Sequence, residues 1–366
     1  MIRLELDSLL YTLSQSFDFG RPVVLPDFFV DHYVVYPSYD RFVDGLNRLA
    51  AQGGGNLMGT DQFIRRGGNA VNTASALLAL GVPPCLIVKT SEWGKALMKT
   101  LVHPDLKLDH VHTDGSLSHT VSIETTYDKR DVNLMVSDSG AAANFQFSDL
   151  TKSDFECIYA SPLVALLCLN HNRNAPVLAE DLYSAIREHS DALTFMDMGD
   201  PSSNPSIVEP LVKRVLLKGL VDILSANENE ICYFANNLPS NDVDWLKARH
   251  DPNKWLKAAE LVASRCAIRV DLHTPFYSAS VTSDSVTSVP AFEVESRVVC
   301  GAGDAWNAGS ILGTLLGLDA KQRLLLANSV AALYVNSSTT EHPLLQDVIS
   351  FLENPPPMQE PIRKAT

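Results

Sequence analysis

The sequence predicts an α/β protein with a doubly wound, mostly parallel sheet flanked by helices. Short apolar runs have the length of buried strands, and helical segments separate them, which is the pattern of a parallel sheet covered on both faces. One stretch differs, because apolar and polar residues alternate in it as in a hairpin exposed on one face. The length of 366 residues suffices for one large α/β domain with an appendage, or for two domains.

The first half of the chain contains five segments that the pattern defines. Leucines at helical spacing predict an amphipathic helix, an apolar run predicts the first strand, and glycines 53–55 mark a loop in an irregular stretch. A helix of small residues that ends at Gly81 then leads to a second strand. In chain order, these segments are 4–16, 22–26, about 32–66, 69–80 and 85–89.

The second half contains the hairpin and the remaining strands. Alternating residues on both sides of a polar turn at 128–131 predict a hairpin over 119–136. Further buried strands are predicted at 157–160, 193–196, 221–224 and 268–270. The chain from residue 353 on is rich in proline and predicts a loose tail.

The composition excludes several classes of partner. The chain has 29 basic and 43 acidic residues, a formal net charge of −14. Nucleic acids and anionic membranes require clustered positive charge, so neither is expected as a partner. No stretch is long and apolar enough to span a membrane, and no basic start followed by an apolar run indicates a secretory signal.

The six cysteines predict buried, inert thiols. None is paired at C-x-x-C spacing, and most have apolar neighbours, as in Cys85-Leu86-Ile87-Val88. We therefore expect no disulfide framework, no zinc site and a cytoplasmic protein.

The segment Gly301-Ala302-Gly303-Asp304 carries the strongest chemical signal. Two glycines and an alanine at a helix start leave backbone N–H groups uncovered, and these groups and the helix dipole favour an anion. A carboxylate beside a phosphate cradle would repel the phosphate unless it accepts a proton from an attacking hydroxyl. The segment thus indicates phosphoryl transfer to an alcohol, although tight packing alone would also explain the glycines.

A second glycine motif spans residues 65–72. Gly67 and Gly68 allow a ligand to approach the backbone, and Asn69 and Asn72 lie on one helix face, where their amides suit sugar hydroxyls. The alternative is a helix that Asn69 caps. Arg66 and its neighbour Arg65 could hold a phosphate on the substrate if they point inward.

Two further motifs bear carboxylates. Asn227 and Glu230 follow a predicted strand, where α/β proteins bind ligands, and could orient a hydrated Mg²⁺; helix capping is the alternative. Asp27 and Asp31 follow the first strand and could accept sugar hydroxyls, or be surface aspartates.

In this order, the motifs resemble those of the ribokinase-like (PfkB) carbohydrate kinase family, over about residues 22–340. The resemblance implies a β-sheet lid, from about 32–66 and 115–140, on an α/β domain of residues 22–352. Residues 1–21 are then an N-terminal extension and 353–366 the proline-rich tail. Exposed lid edges lead us to expect a homodimer through the lid.

The resemblance also assigns roles to residues. Asp304 would be the general base, and the amides of Gly301, Ala302 and Gly303 would stabilise the transferring phosphoryl group. Asn227 and Glu230 would serve the metal and the phosphates, with Glu230 as the Mg²⁺ residue. The acceptor would be held by Asp31, Gly68, Asn69 and Asn72, and Asn328 would lie beside the nucleotide base.

The chain departs from the family pattern at two places. Val298-Val299-Cys300 stands where the family usually has Asp-Thr-x, which puts potassium activation in doubt. Residues 271–276 lack the glycines of the family's turn near the nucleotide, which leaves the identity of the nucleotide open. The resemblance implies ATP as the phosphoryl donor, with ADP as the alternative.

We therefore expect a kinase for a sugar, a nucleoside or a sugar phosphate. The alternative is a non-catalytic ligand-binding or regulatory protein on the same scaffold.

Overall fold

The computed structural model describes residues 2–240, 242–339 and 341–360. The strands are β1 Val23–Leu25, β2 Phe29–Val35, β3 Asp61–Gly67, β4 Cys85–Leu86, β5 Val88–Lys89, β6 Val111–His112, β7 Ser118–Tyr127, β8 Arg130–Asp138, β9 Leu163–Leu166, β10 Leu193–Asp197, β11 Ile223–Asn227, β12 Arg269–His273, β13 Tyr277–Val281 and β14 Val286–Pro290. The α-helices are α1 Ile2–Leu13, α2 Tyr39–Ala51, α3 Asn69–Ala79, α4 Glu92–Leu101, α5 Lys152–Tyr159, α6 Ala175–His189, α7 Val208–Leu211, α8 Glu228–Asn236, α9 Trp245–Ala248, α10 Pro252–Cys266, α11 Ala302–Leu315, α12 Ala320–Val335 and α13 Leu345–Glu353.

The central sheet has eight strands in the order β14-β13-β12-β11-β10-β9-β1-β4. The strands from β12 to β4 are parallel, and β13 and β14 are antiparallel to their neighbours. Strand β9 shows why these strands read as apolar runs. Val164 and Leu166 face one core, while Leu163 and Ala165 face the other. Both faces of the sheet are covered, so the predicted fold class is confirmed.

A second sheet of four strands, in the order β3-β2-β7-β8, forms the lid. The hairpin prediction is confirmed: β7 and β8 pair antiparallel across Asp128 and Lys129, which both have positive φ. The stretch predicted as irregular contains helix α2, whose N-terminus is capped by Ser38. The sequence does carry the signal for this helix, because Phe42, Val43, Leu46 and Leu49 recur at helical spacing, but the glycines after it drew the interpretation towards a loop.

The strand predicted at 157–160 is wrong, because this segment ends helix α5. The Thr151 hydroxyl accepts a hydrogen bond from the Asp154 amide, and the Asp154 carboxylate accepts one from the Thr151 amide, which fixes the helix start. The buried strand follows six residues later, as β9.

Both chain ends that the structure describes pack on the domain. Leu9 and Leu13 of α1 are buried in the core with α12 and α13. The Glu293 amide donates to the Pro357 carbonyl at 2.8 Å, and the Gln359 amide donates to the Ala291 carbonyl at 2.8 Å. The prediction of a loose tail is therefore wrong up to residue 360, because its backbone pairs with the segment before α11. Residues 361–366 of the predicted tail lie outside the described part of the chain.

The prediction of inert thiols is wrong for two cysteines. Cys85 in β4 and Cys157 in α5 form a disulfide, with Cα atoms 7.0 Å apart. The fold brings together residues 72 positions apart in sequence, which no local spacing could show. Cys168, Cys232, Cys266 and Cys300 are free. Among the helices that the structure describes, none has both the length and the apolar character needed to cross a bilayer.

We expect the substitution Arg323→Leu to destabilise the fold by about 3 kcal/mol, because it leaves a buried carboxylate short of a partner. The Arg323 guanidinium donates to Asp271 at 3.3 Å and to the Ser280 hydroxyl at 2.6 Å, and Asp271 is fully buried. Urea unfolding would measure the loss.

The control is Lys213→Ala, which removes an exposed ion pair with Glu209 and should cost less than about 1 kcal/mol. Equal stabilities of the two variants would contradict the role given to Arg323.

Candidate active site

A cavity of about 280 Å³ lies between the lid and the carboxyl ends of the central strands. Lid residues on β2, β7 and β8 cover it, and residues at or just after the ends of β1, β9, β10, β11 and β12 form its floor. This is the edge at which open parallel sheets bind ligands. The predicted site residues that line the cavity are Asp31, Gly68, Asn69, Asn72, Asn227, Glu230, Gly301, Gly303 and Asp304.

Asp304 lies in the first turn of α11 and is nearly buried, with 6% of its surface exposed. The Asn72 side-chain amide donates to its Oδ2 at 3.0 Å. This bond joins two motifs that are 232 residues apart in sequence. The carboxylate is therefore held in a fixed position at the cavity wall.

The glycine loop before Asp304 offers fewer amides than the sequence predicted. The Ala302 amide already donates to the Val299 carbonyl at 3.1 Å. The amides of Gly301 and Gly303 make no such bond to any described residue, and α11 has no side-chain cap. Gly301 has a φ of 88°, and a side chain there would collide with the Tyr334 hydroxyl.

Asp27, and not Asn69, caps helix α3. Its carboxylate accepts hydrogen bonds from the amides of Asn69 at 3.0 Å and Ala70 at 2.8 Å. The capping role considered for Asn69 is thus wrong, since Asn69 is the first residue of the helix and its side chain lines the cavity. Gly68 has a φ of 94°, and its missing side chain leaves room for Asp27.

Asp31 lies on lid strand β2, next to Thr120 of β7 and Arg65 of β3. A side chain at Gly67 would occupy the position of the Asp31 carboxylate, so Gly67 acts behind the cavity and does not line it. Asp31 therefore presents an acceptor from the lid side, opposite the residues on the sheet.

Asn227 and Glu230 form a capping box at the start of α8. The Asn227 side-chain oxygen accepts from the amides of Asn229 and Glu230, both at 2.9 Å. Glu230 in turn accepts from the Asn227 amide at 2.9 Å and from its side chain at 2.7 Å. The capping alternative is thus present in the structure, and the same pair also lines the cavity.

Several residues that face the cavity are not predicted from the sequence. Asp197 ends β10 and His273 ends β12, one and three residues beyond the strands predicted there. Asp197 accepts from the Asn307 side chain at 2.7 Å and from the Gly199 amide at 2.9 Å. Extending the strand predicted at 193–196 by one residue would have found Asp197, whereas the first polar residue after 270 is Asp271 and not His273. Nε2 of His273 is buried and has no hydrogen-bond partner in the described chain.

Besides Gly67 and Ala302, two further predicted site residues do not line this cavity. Asn328 is buried between helices, where it accepts from the Trp306 indole at 3.0 Å and donates to the Pro290 carbonyl at 3.2 Å. It does not line the cavity. Arg66 lines an adjoining cavity of about 250 Å³, which shares Asp31 and Asn72 with the first.

Four carboxylic acids of the site, Asp27, Asp31, Glu230 and Asp304, have raised pKa values. Burial is the main cause, and it raises the pKa of Asp27 to about 6 and that of Asp31 to about 7. Burial also raises the pKa of Asp304 and of Glu230 well above the usual range, with a further contribution from the charge of Asp197. A cationic ligand in the cavity would therefore be stabilised.

The fold and the cavity together define an α/β protein with a β-sheet lid over the ligand-binding edge of its central sheet. The profile of the pfkB family of carbohydrate kinases matches residues 52–347. The chain belongs to this family, so the predicted class of enzyme, a phosphotransferase with an alcohol acceptor, is confirmed.

Three similar solved structures share the fold. Ribokinase from Arabidopsis thaliana, complexed with ribose and ATP, has a TM-score of 0.65 and 18% identity, covering 91% of this chain and 98% of its own. Adenosine kinase from Sinorhizobium meliloti has a TM-score of 0.66 and 18% identity, with coverages of 92% and 99%. Phosphofructokinase-2 from Escherichia coli, in complex with potassium, has a TM-score of 0.62 and 16% identity, with coverages of 91% and 98%. No curated protein sequence gives a significant match.

We expect Asp31→Asn to stabilise the fold above neutral pH. The folded state holds the proton of Asp31 more tightly than the unfolded chain does, because its pKa is raised from 3.8 to about 7. The contribution of Asp31 to stability is thus most favourable at low pH, and it falls as the pH rises from about 4 to about 7. Asparagine does not ionise, so the variant avoids this loss. Its free energy of unfolding should exceed that of the original chain by up to about 4 kcal/mol at pH 8, and the difference should disappear towards pH 4.

Urea unfolding at several pH values would measure the gain. The control is Asp128→Asn at the exposed hairpin turn, a surface substitution that should change the stability by less than about 0.5 kcal/mol. A constant difference between Asp31→Asn and the original chain at every pH would contradict the prediction.

Proposed function

We propose that this chain transfers a phosphoryl group from a nucleotide to a hydroxyl of a sugar, a nucleoside or a sugar phosphate. The observation that carries the proposal is the position of the Asp304 carboxylate. It lies in a covered cavity, beside the uncapped N-terminus of α11 and the amides of Gly301 and Gly303. A base and an anion site are thereby adjacent, as the reaction requires.

Asp304 is the proposed general base. Its carboxylate takes the proton of the acceptor hydroxyl while that oxygen attacks the terminal phosphorus of the nucleotide. Asn72 holds one carboxylate oxygen at 3.0 Å and leaves the other for the hydroxyl. Positive charge that enters the cavity with the nucleotide would lower the raised pKa of Asp304 and favour its deprotonated form.

The glycine loop and α11 are the proposed anion site. The Gly301 and Gly303 amides would donate to the transferring phosphoryl group, and the helix dipole adds to their effect. The Ala302 amide is left out of this set, because it is bonded to Val299. His273 lies next to Gly303, and its buried Nε2 is suited to contact the phosphates.

The acceptor would lie between the lid and α3. Asp31 on the lid, with the side chains of Asn69 and Asn72 from the helix, would bind its hydroxyls. The lid would exclude water and so limit wasteful hydrolysis of the nucleotide.

The carboxylates of Asp197 at the end of β10 and of Glu230 in the first turn of α8 fit a hydrated Mg²⁺. Asp197 and Glu230 face the same cavity, where the charge of Asp197 contributes to the raised pKa of Glu230; a cation bound there would favour ionised Glu230. Both oxygens of Glu230 are bonded to Asn227, so Glu230 would hold the ion through water, which Mg²⁺ retains readily. When bound, the ion would neutralise charge on the nucleotide phosphates.

A homodimer through the lid remains part of the proposal. Strand β8 lies at the edge of the lid sheet, and Leu134 and Val136 on it are 40% and 64% exposed. Such an edge can pair with a second copy.

We expect Asp304→Asn to lower kcat by at least about 100-fold, because the amide cannot accept the proton. The asparagine oxygen can still accept the hydrogen bond from Asn72, so the fold should be kept. The assay would offer ATP or ADP, with Mg²⁺, against sugars, nucleosides and sugar phosphates.

The control is Asp319→Asn, which changes the cap of α12 outside the cavity and leaves a good capping residue. Turnover by Asp304→Asn at the original rate would remove Asp304 from the mechanism. Ligand binding without turnover for any pair would favour the non-catalytic alternative.

We expect Arg66→Gln to weaken phosphorylated acceptors selectively. Arg66 is mostly buried, its Nε has no partner in the described chain, and it borders the same space as Asp31. Loss of a charge-assisted bond to a phosphate would raise KM by about 10- to 100-fold, with little change for neutral sugars.

The matched control is Arg130→Gln, at the exposed end of the lid hairpin. An equal rise in KM for neutral and phosphorylated acceptors would contradict a phosphate-binding role for Arg66.

A further inference from the structure

A second cluster of chemically active side chains lies at the far edge of the central sheet. One ligand atom each of Cys85, His110 and Cys157 lies within 4.8 Å of the others. Cys85 is on edge strand β4, Cys157 is on α5, and His110 directly precedes β6. None of the three lines the candidate active-site cavity. We propose that, in the reduced chain, these residues bind a zinc-type divalent metal ion.

The donor set fits this class of metal. Zn²⁺ binds cysteine thiolates and histidine nitrogens, whereas Mg²⁺ and Ca²⁺ prefer oxygen ligands. Two thiolates and one neutral imidazole would supply three ligands and cancel the charge of the ion. Water can complete the coordination, since Cys157 and His110 are partly exposed.

Asp154 accepts a hydrogen bond from one ring nitrogen of His110, as carboxylates do from histidines that bind metals. Nδ1 of His110 donates to Asp154 Oδ1 at 2.7 Å. Because a carboxylate only accepts, this bond fixes the tautomer and leaves the lone pair of Nε2 for a metal.

Asp154 is itself held firmly. Its Oδ2 accepts from the Thr151 amide and hydroxyl, both at 2.7 Å, and lies 2.9 Å from Nε2 of His112. Its side chain is only 1% exposed. A buried carboxylate with these contacts is a rigid support for His110, so the cluster contains both the metal ligands and a group that orients one of them.

The backbone is at the limit of what a disulfide allows. The Cα atoms of Cys85 and Cys157 are 7.0 Å apart, while disulfides usually keep them within about 6.8 Å. A disulfide alone also gives His110 no role. Reduction by a thiol or phosphine reductant supplies two electrons and, with two protons, gives two thiols. Metal binding then displaces both thiol protons, and no other bond changes.

The bound ion would cross-link strand β4, helix α5 and the segment directly before β6. Strand β4 has two residues and β6 has two, and both lie at the margin of the domain. The metal would therefore stabilise this margin without touching the catalytic cavity.

The test uses the full chain, reduced with a phosphine and freed of metal with a chelator. Titration with Zn²⁺ in competition with a chromogenic chelator should show one equivalent bound per chain. Titration with Co²⁺ should give the thiolate charge-transfer band and the intense visible bands of a four-coordinate site. These two readouts need no variant, so they decide the proposal even if a variant fails to fold.

Variants then assign the ligands. Cys157→Ser and His110→Gln should abolish or greatly weaken zinc binding, while Cys266→Ser, at a buried free cysteine on α10, should bind as the original chain does. Asp154→Asn should weaken binding by about 10- to 100-fold through the orientation of His110.

Three results would overturn the proposal. One is a reduced chain that binds no zinc and merely re-forms the disulfide in air, as the mass of the intact protein would show. Another is zinc binding that survives in Cys157→Ser at the original affinity. The third is a Co²⁺ spectrum without a thiolate band.

Discussion

The structure of the site depends on how the free backbone amides at three helix N-termini are hydrogen-bonded, because all three helices begin at one cavity. Helices α3, α8 and α11 all begin there, and each presents unpaired amides and the positive end of a dipole. The protein satisfies two of them with its own groups. Asp27 accepts from the first amides of α3, and Asn227 caps α8. Only α11 has no side-chain cap, so an anion from outside has one place to bind.

The same arrangement concentrates negative charge. Asp27, Asp31, Asp304 and Glu230 line one cavity, and burial is the main cause of their raised pKa values; neighbouring carboxylates raise those of Asp31, Asp304 and Glu230 further. These side chains destabilise the fold as the pH rises, which a protein selected for stability alone would avoid. The cavity therefore combines carboxylates, which suit a cation, with an uncapped helix N-terminus, which suits an anion. Ligands that bring both a cation and an anion explain this combination best.

Local sequence patterns predicted which side chains form the site better than they predicted the hydrogen bonds that these side chains make. Asp304, Asn72 and Glu230 were found because glycine turns and strand ends are local signals. The bond from Asn72 to Asp304 and the capping of α3 by Asp27 could not be found, because each joins distant segments. The same reason hid the cluster at Cys85, His110 and Cys157. The strand expected at 157–160 failed differently, since a short apolar run cannot separate strand from helix and the cap at Thr151 decided the outcome.

The loop before α11 shows how a departure from the family pattern can be accommodated. Val298-Val299-Cys300 offers no carboxylate to support the loop, and the structure supports it from α12 instead. The Tyr334 hydroxyl donates to the Cys300 carbonyl at 2.9 Å, and the Val298 amide donates to the Val335 carbonyl at 3.1 Å. Because Gly301 has no side chain, Tyr334 can approach the loop closely and fix where its amides point. The position of the anion site thus depends on the C-terminal end of α12, far from it in sequence. A substitution that shortens Tyr334 would release the loop, and with it the amides of Gly301 and Gly303, without changing any side chain that lines the cavity.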